Sequence, residues 1–137
     1  MKITTSSVDE TIQAGVDFAG KLQANSPILL YGEMGAGKTH FVKGLARGLG
    51  IADNITSPTF ALVNQYSRLT HFDLFRVNTM DDLYAIGFYD YMGEGVLAIE
   101  WAENVPGLKD ELDGYYTVTI EKIGENERVI TIDNIGT

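Results

Sequence analysis

One α/β domain spanning residues 1–137, with a mixed parallel and antiparallel central sheet flanked by helices, is the fold that the sequence predicts, on three observations. Pro27-Ile28-Leu29-Leu30-Tyr31 is a short apolar run that enters Gly32-Glu33-Met34-Gly35-Ala36-Gly37-Lys38-Thr39. Phe41, Val42, Leu45, Ala46 and Leu49 then recur at helical spacing, so strand, glycine turn and helix follow one another. Val96-Leu97-Ala98-Ile99 is a continuous apolar run too short for a helix, the pattern of a strand buried on both faces. Two pairs of β-rich segments, 60–66 with 69–75 and 115–121 with 128–133, are each joined by a short polar turn and read as antiparallel hairpins.

The first observation makes the domain a P-loop NTPase type, because Gly-x-x-x-x-Gly-Lys-Thr between a strand and a helix is the phosphate-binding loop signature. Glycines at 32, 35 and 37 let the backbone turn so that successive N–H groups face inward onto phosphate oxygens, aided by the positive end of the following helix. Lys38 supplies a point charge to the outer phosphates, and Thr39 offers a hydroxyl to a magnesium ion, a hard cation that takes oxygen ligands.

The remaining elements follow in chain order. Lys2 to Thr5 reads as a short edge strand. Ser7-Val8-Asp9-Glu10 is a capping box that opens a helix with Val8, Ile12, Val16, Ala19 and Leu22 on its apolar side, ended by Asn25-Ser26-Pro27. Thr56-Ser57-Pro58-Thr59 reads as a loop, either a plain turn or a segment whose hydroxyl meets the γ-phosphate or its metal and lets go on hydrolysis. Asn78 to Asp82 starts a short helix that Gly87 stops, and the aromatic stretch 88–95 reads as cover for the core.

Composition narrows the function. A chain with 45% hydrophobic and 21% charged residues has an ordinary globular composition. Its net charge of −9 argues against tight RNA or DNA binding by this chain alone, which calls for a basic surface, although the acidity equally serves solubility. The lack of cysteine excludes disulfides and thiolate chemistry and fits a reducing compartment. No secretory signal or membrane-length apolar run is present, so a cytoplasmic protein without membrane contact is expected.

Hydrolysis needs more than a phosphate loop, and in open α/β sheets the completing carboxylates sit at the carboxyl ends of strands. Glu100 ends the most apolar strand and is the candidate acid beside magnesium; the alternative is a solvent-exposed acid that merely ends a strand. Asp73 shares a strand face with His71 and is the second candidate, the alternative being a surface pair on a hairpin. His40 and His71 are the only histidines, which gives a zinc site little support, and His40 is expected only to face its helix surroundings.

Together the phosphate loop, Thr56-Ser57-Pro58-Thr59-Phe60, His71-Phe72-Asp73-Leu74-Phe75-Arg76 and Ile99-Glu100-Trp101-Ala102-Glu103 resemble the TsaE (YjeE) family of bacterial ATPases, over about Ser7 to Glu103. The resemblance implies the Mg²⁺-dependent ATPase subunit of the machinery that installs threonylcarbamoyl on the adenosine next to the anticodon of certain transfer RNAs. Such a subunit binds a TsaD–TsaB complex, uses ATP to let it turn over and reaches tRNA only indirectly. Carried onto this chain, the resemblance makes Lys38 and Thr39 holders of phosphate and Mg²⁺, Glu100 the metal-side acid and Asp73 a catalytic candidate. Gly32, Glu33, Met34, Gly35, Ala36 and Gly37 form the cradle, and Thr59 belongs to the switch loop. Trp101 sits beside the nucleotide or partner surface, and Thr11 lies toward the nucleotide's base. Departures are Met34 for a usual leucine, His40 for a second threonine, Phe75 for a tyrosine and Ala102 for a proline; none removes a functional group from the site.

Two other functions fit a phosphate loop. A small-molecule kinase would need cationic side chains on a closing lid, and the four arginines with no long insertion do not supply one. A binding module that senses nucleotide without hydrolysing it would lack sustained phosphate release.

Overall fold

The structure is a computed structural model and describes residues 1–23, 25–33, 35–56 and 62–136. Met34 and the segment 57–61, with Thr59, lie outside the described residues. Among those described, seven strands form one sheet in the order β1-β7-β6-β2-β5-β4-β3. They are β1 (Lys2–Thr5), β2 (Pro27–Tyr31), β3 (Val63–Gln65), β4 (Leu69–Asp73), β5 (Val96–Glu100), β6 (Tyr115–Lys122) and β7 (Arg128–Ile135). β2 runs parallel to both β5 and β6, and β5 parallel to β4, whereas β3–β4, β6–β7 and β7–β1 pair antiparallel. The predicted mixed sheet is thus parallel in its middle and antiparallel at both margins.

Burial on two faces dictates that middle. Ile28, Leu30 and Ala98 pack on one side with Phe41, Val42, Leu45 and Ala46 of α2 (Lys38–Gly48) and Ala14 and Phe18 of α1 (Val8–Ala19). Leu29, Leu97 and Ile99 pack on the other with Phe72, Leu83 of α3 (Met80–Ala85), Phe88 of α4 (Phe88–Tyr91), Val105 and Leu108. Each of the fully buried Ile, Leu, Val and Phe side chains contributes about 1.5–3 kcal/mol relative to exposure. The aromatic stretch is core cover, as expected: Phe88 is fully buried, and Tyr89, Tyr91 and Met92 pack around the same cluster.

Three expectations need correction. α1 buries Thr11, Ala14, Gly15 and Phe18 most deeply; of the expected side, Ala19 and Leu22 pack partly buried against the core, Ile12 and Val16 are half-buried, and Val8 is 51% exposed. Small residues let α1 lie close to α2, so the buried stripe is chosen by backbone approach, which hydrophobicity does not encode. The helix also ends at Ala19, and Gly20 and Lys21 turn away through the bond from Lys21 N–H to Phe18 O (2.9 Å) before Leu22 and Asn25 are reached. β3 covers Val63–Gln65, so Leu62 and Tyr66 of the expected 60–66 lie outside it, while 60 and 61 lie outside the described residues. The capping box forms: Glu10 N–H donates to Ser7 Oγ at 3.1 Å, and Ser6 N–H donates to Glu10 Oε1 at 2.9 Å. Among the described residues no helix is long and apolar enough to cross a membrane.

Candidate functional site

The glycine turn joins the carboxyl end of β2 to α2 at the middle of the sheet. Gly32 has φ 151°, and a Cβ there would stand 2.7 Å from Ile120 O, so the strand exit next to β6 requires glycine. Gly37 is the residue before α2, with φ 111° and no side chain capping the helix. First-turn amides of a helix have no intrahelical acceptor, so an uncapped start offers N–H groups and the positive dipole end to an anion. Ala36 is buried and its N–H closes the turn onto Glu33 O at 3.0 Å, whereas Glu33 and Gly35 are exposed. Thr39 is half-buried in the first turn of α2.

Lys38 reaches back over the loop. Its Nζ donates to Gly32 O at 2.8 Å, stands 3.6 Å from Glu100 Oε1 and lies 4.6 Å from the centroid of the Trp101 ring. The ammonium carries three donors, so this leaves it able to meet a phosphate oxygen. Only 7% of Lys38 is exposed, and a buried cation needs such company.

Glu100 ends β5 and is 5% exposed, so the solvent-exposed alternative is set aside. Parallel register puts Asp73, at the end of β4, directly beside it. His71 Nε2 and Glu100 Oε2 are 2.6 Å apart, with His71 wholly buried, so it is no member of a surface pair. Burial pushes the Glu100 carboxyl up, but the hydrogen bond and charge of His71, with the Lys38 ammonium, outweigh it and hold the carboxyl below its usual range. Asp73 is half-buried, and its Oδ1 accepts the Phe75 N–H at 3.0 Å. Trp101 follows in left-handed backbone (φ 62°), its ring edge-on to Phe75 with centroids 5.1 Å apart.

This donor set fits a magnesium ion shared with phosphates. Among the described residues no group of three His, Asp or Glu side chains could hold a metal on its own. His71 occupies Oε2, while Oε1 faces Lys38 at more than hydrogen-bond distance and keeps acceptor capacity for an ion or its water. Hydroxyl and carboxylate oxygens are the ligands such an ion takes.

On the other side of the loop, Thr11, Gly37, His40, Asn126 and Arg128 line a small cleft with Ser7 and Val8. Thr11 is buried, its Oγ1 2.9 Å from Thr5 Oγ1, so its hydroxyl is tied to β1 while its methyl faces Gly37. His40 is not confined to its helix surroundings as expected, since it shares this cleft with Arg128. Among the described residues its Nδ1 is buried without a hydrogen-bond partner, and burial, then Lys43 and Arg128, hold its pKa below 6.5. A depressed histidine favours the neutral form in the fold. Its stabilising contribution is therefore present above pH 6.5 and is lost as pH falls through the depressed value. The His40 ring is expected to titrate below 6.5 by NMR, and His40→Asn to flatten stability against pH in that window.

Sequence reasoning missed two members of this site. His71 had a signal, a period-two partner of Asp73 on a strand beside the one ending in Glu100. Arg128 had none, standing 92 residues from Ala36, whose carbonyl it binds.

A glycine loop between the central parallel strand and an uncapped helix, with a lysine at the helix start and an acid at the end of the adjacent strand, defines a P-loop-type protein. The family model for "Threonylcarbamoyl adenosine biosynthesis protein TsaE" matches residues 5–130. The chain belongs to the TsaE family. It is similar to the tRNA threonylcarbamoyladenosine biosynthesis protein TsaE of Treponema pallidum, 41% identical over 96% of this chain and 99% of that one. It is also similar to the protein of the same description from Bacillus subtilis, 33% identical over 99% of this chain and 87% of that one. The crystal structure of Bacillus subtilis YdiB superposes with a TM-score of 0.77 at 29% identity, covering 99% of this chain and 86% of that one.

Proposed function

We propose that the chain is a single-domain, magnesium-dependent ATPase, cytoplasmic and weak in isolation. It serves threonylcarbamoyl modification of the adenosine next to the tRNA anticodon, hydrolysing ATP to reset a TsaD–TsaB-type partner complex. The observation that carries the ATPase reading is the convergence of the glycine loop, the Lys38 ammonium and the Glu100 carboxylate, with Lys38 Nζ 3.6 Å from Glu100 Oε1. Membership of the TsaE family supports the pathway. A net charge of −9 supports contact with tRNA through partners rather than directly.

In this reading the amides of Gly35 and of residues 37–39 hold the phosphates, while that of Ala36 closes the turn onto Glu33 O, and Lys38 neutralises charge on the outer phosphates. Thr39 and Glu100 would hold magnesium, which when bound offsets charge on the β- and γ-phosphate oxygens. Lys38 and His71 keep Glu100 ionised and fixed in place. Asp73, beside Glu100 in register, orients the attacking water. Trp101 covers the ammonium from the outer side, and Thr11 borders the base end of the nucleotide. Met34 and Thr59 complete the cradle and the switch loop.

The test is phosphate release with Mg-ATP, alone and with a TsaD–TsaB pair. Glu100→Ala should lower turnover about a hundredfold or more while ADP binding is retained, since the acid serves the transition state rather than the ground state. Equal loss of both would refute its assignment. Stoichiometric transfer of phosphate to a metabolite would replace the ATPase with a kinase.

A further inference from the structure

The outer side of the phosphate loop is held by a residue near the far end of the chain. Arg128 opens β7, next to the turn 123–127 that joins it to β6. Its Nε donates to Ala36 O at 2.8 Å and Nη2 to Gly35 O at 3.5 Å. Nη1 donates to Gly124 O (3.2 Å), Glu125 O (3.2 Å) and Glu127 O (3.0 Å). These acceptors are all main-chain carbonyls, drawn from two segments with no strand pairing to each other. The rigid, five-donor fork of a guanidinium fixes the directions of several carbonyls at once, which the three rotatable donors of an ammonium do not.

We propose that Arg128 is a positioning residue for nucleotide binding, which keeps the Gly37 amide turned toward the phosphates by holding the carbonyl of Ala36 outward and the peptide before it in place. The inference rests on reading the loop as a nucleotide site. Its physics is the planar trans peptide, in which C=O and N–H point opposite ways. With Ala36 O held by Arg128, the N–H of Gly37 must face the other side, into the turn before α2. The peptide between Gly35 and Ala36 is held at both ends, its carbonyl by Arg128 and its N–H by Glu33 O at 3.0 Å. Glycine at 37 lacks a side chain to enforce this setting by itself, and φ 111° is one of many values open to it. Arg128 also brings the turn to the site, for Asn126 lines the cleft with Thr11, Gly37 and His40.

Arg128→Ala and Arg128→Lys in the full-length chain separate the fork from its charge. Amide hydrogen exchange is read without ligand, and ADP and inorganic pyrophosphate are titrated calorimetrically. In both variants the Ala36 amide, which is bonded to Glu33 O, should exchange faster while those of Ile28 to Leu30 and Leu97 to Ile99 keep their protection. Affinity for both ligands should fall in parallel by about tenfold to a hundredfold, the equivalent of about one charge-assisted hydrogen bond. Unchanged exchange at Ala36, wild-type affinity in Arg128→Lys, or protection lost throughout the sheet in both variants would each overturn the proposal. A wild-type protein that binds neither ligand would instead overturn the nucleotide reading, and is distinguished from a wild type that binds both as well as its variants do.

Discussion

Lys38→Ala is expected to abolish sustained phosphate release from ATP, by at least about a hundredfold, because it removes a preorganised cation from the place where phosphate charge would develop. The lysine is also structural for the acid it faces. Glu100 is 5% exposed and is held ionised by His71 and Lys38 against burial, so with Lys38 gone burial pushes its carboxyl back up. A carboxyl depressed in the fold adds stability that is present above its ordinary value of 4.5 and is lost as pH falls through the depressed one. Lys38→Ala should therefore move the onset of acid unfolding to higher pH as well as stopping turnover. Circular dichroism against pH, run beside the phosphate assay, reads both effects. Turnover retained in a variant that folds would refute the loop's catalytic assignment.

Gly44→Ala is expected to be the most damaging small substitution for the fold. A Cβ at Gly44 would overlap the carbonyl oxygen of Ile12 and stand 2.7 Å from its carbonyl carbon, with Gly15 Cα at 3.1 Å. These are backbone atoms of α1 and cannot rotate aside, so the two helices would have to separate. The cost is about 3 kcal/mol or more, at or beyond the upper end for overpacking. Because α2 begins at Lys38, that separation would also disturb the loop. Gly20→Ala is the control. Gly20 has φ −70° and its nearest neighbour to an added Cβ is 3.5 Å away, so alanine there should be neutral or gain about 0.4–1 kcal/mol. Denaturant midpoints of the two variants compare them directly, and similar values would contradict the close helix approach.

Much of this was legible before any coordinates because local chemistry carries it. Ser7 and Glu10 announce the start of α1, Gly87 the stop after α3, and the unbroken apolar run at 96–99 a strand covered on both faces. The buried side of α1 was not legible. Val8 looks like a core residue and is 51% exposed, while Gly15 looks like a helix breaker and sits where α1 meets α2. Hydrophobic periodicity counts side chains, and this contact is made by their absence.

From the order of residues alone came the phosphate-loop class, the mixed sheet and the acid at the end of the central apolar strand. Spacing along one strand or one helix suffices for these, since the periods of 2 and 3.6 residues are intrinsic to the backbone. Tertiary structure alone decided which groups hold that acid and that loop: His71 on Glu100 from the neighbouring strand, and Arg128 on Gly35 and Ala36 from the C-terminal hairpin. Those partners meet only once the sheet order is set: the period of two puts His71 on the face of Asp73, but nothing local pairs it with Glu100, 29 positions away, or Arg128 with Ala36, 92 positions away.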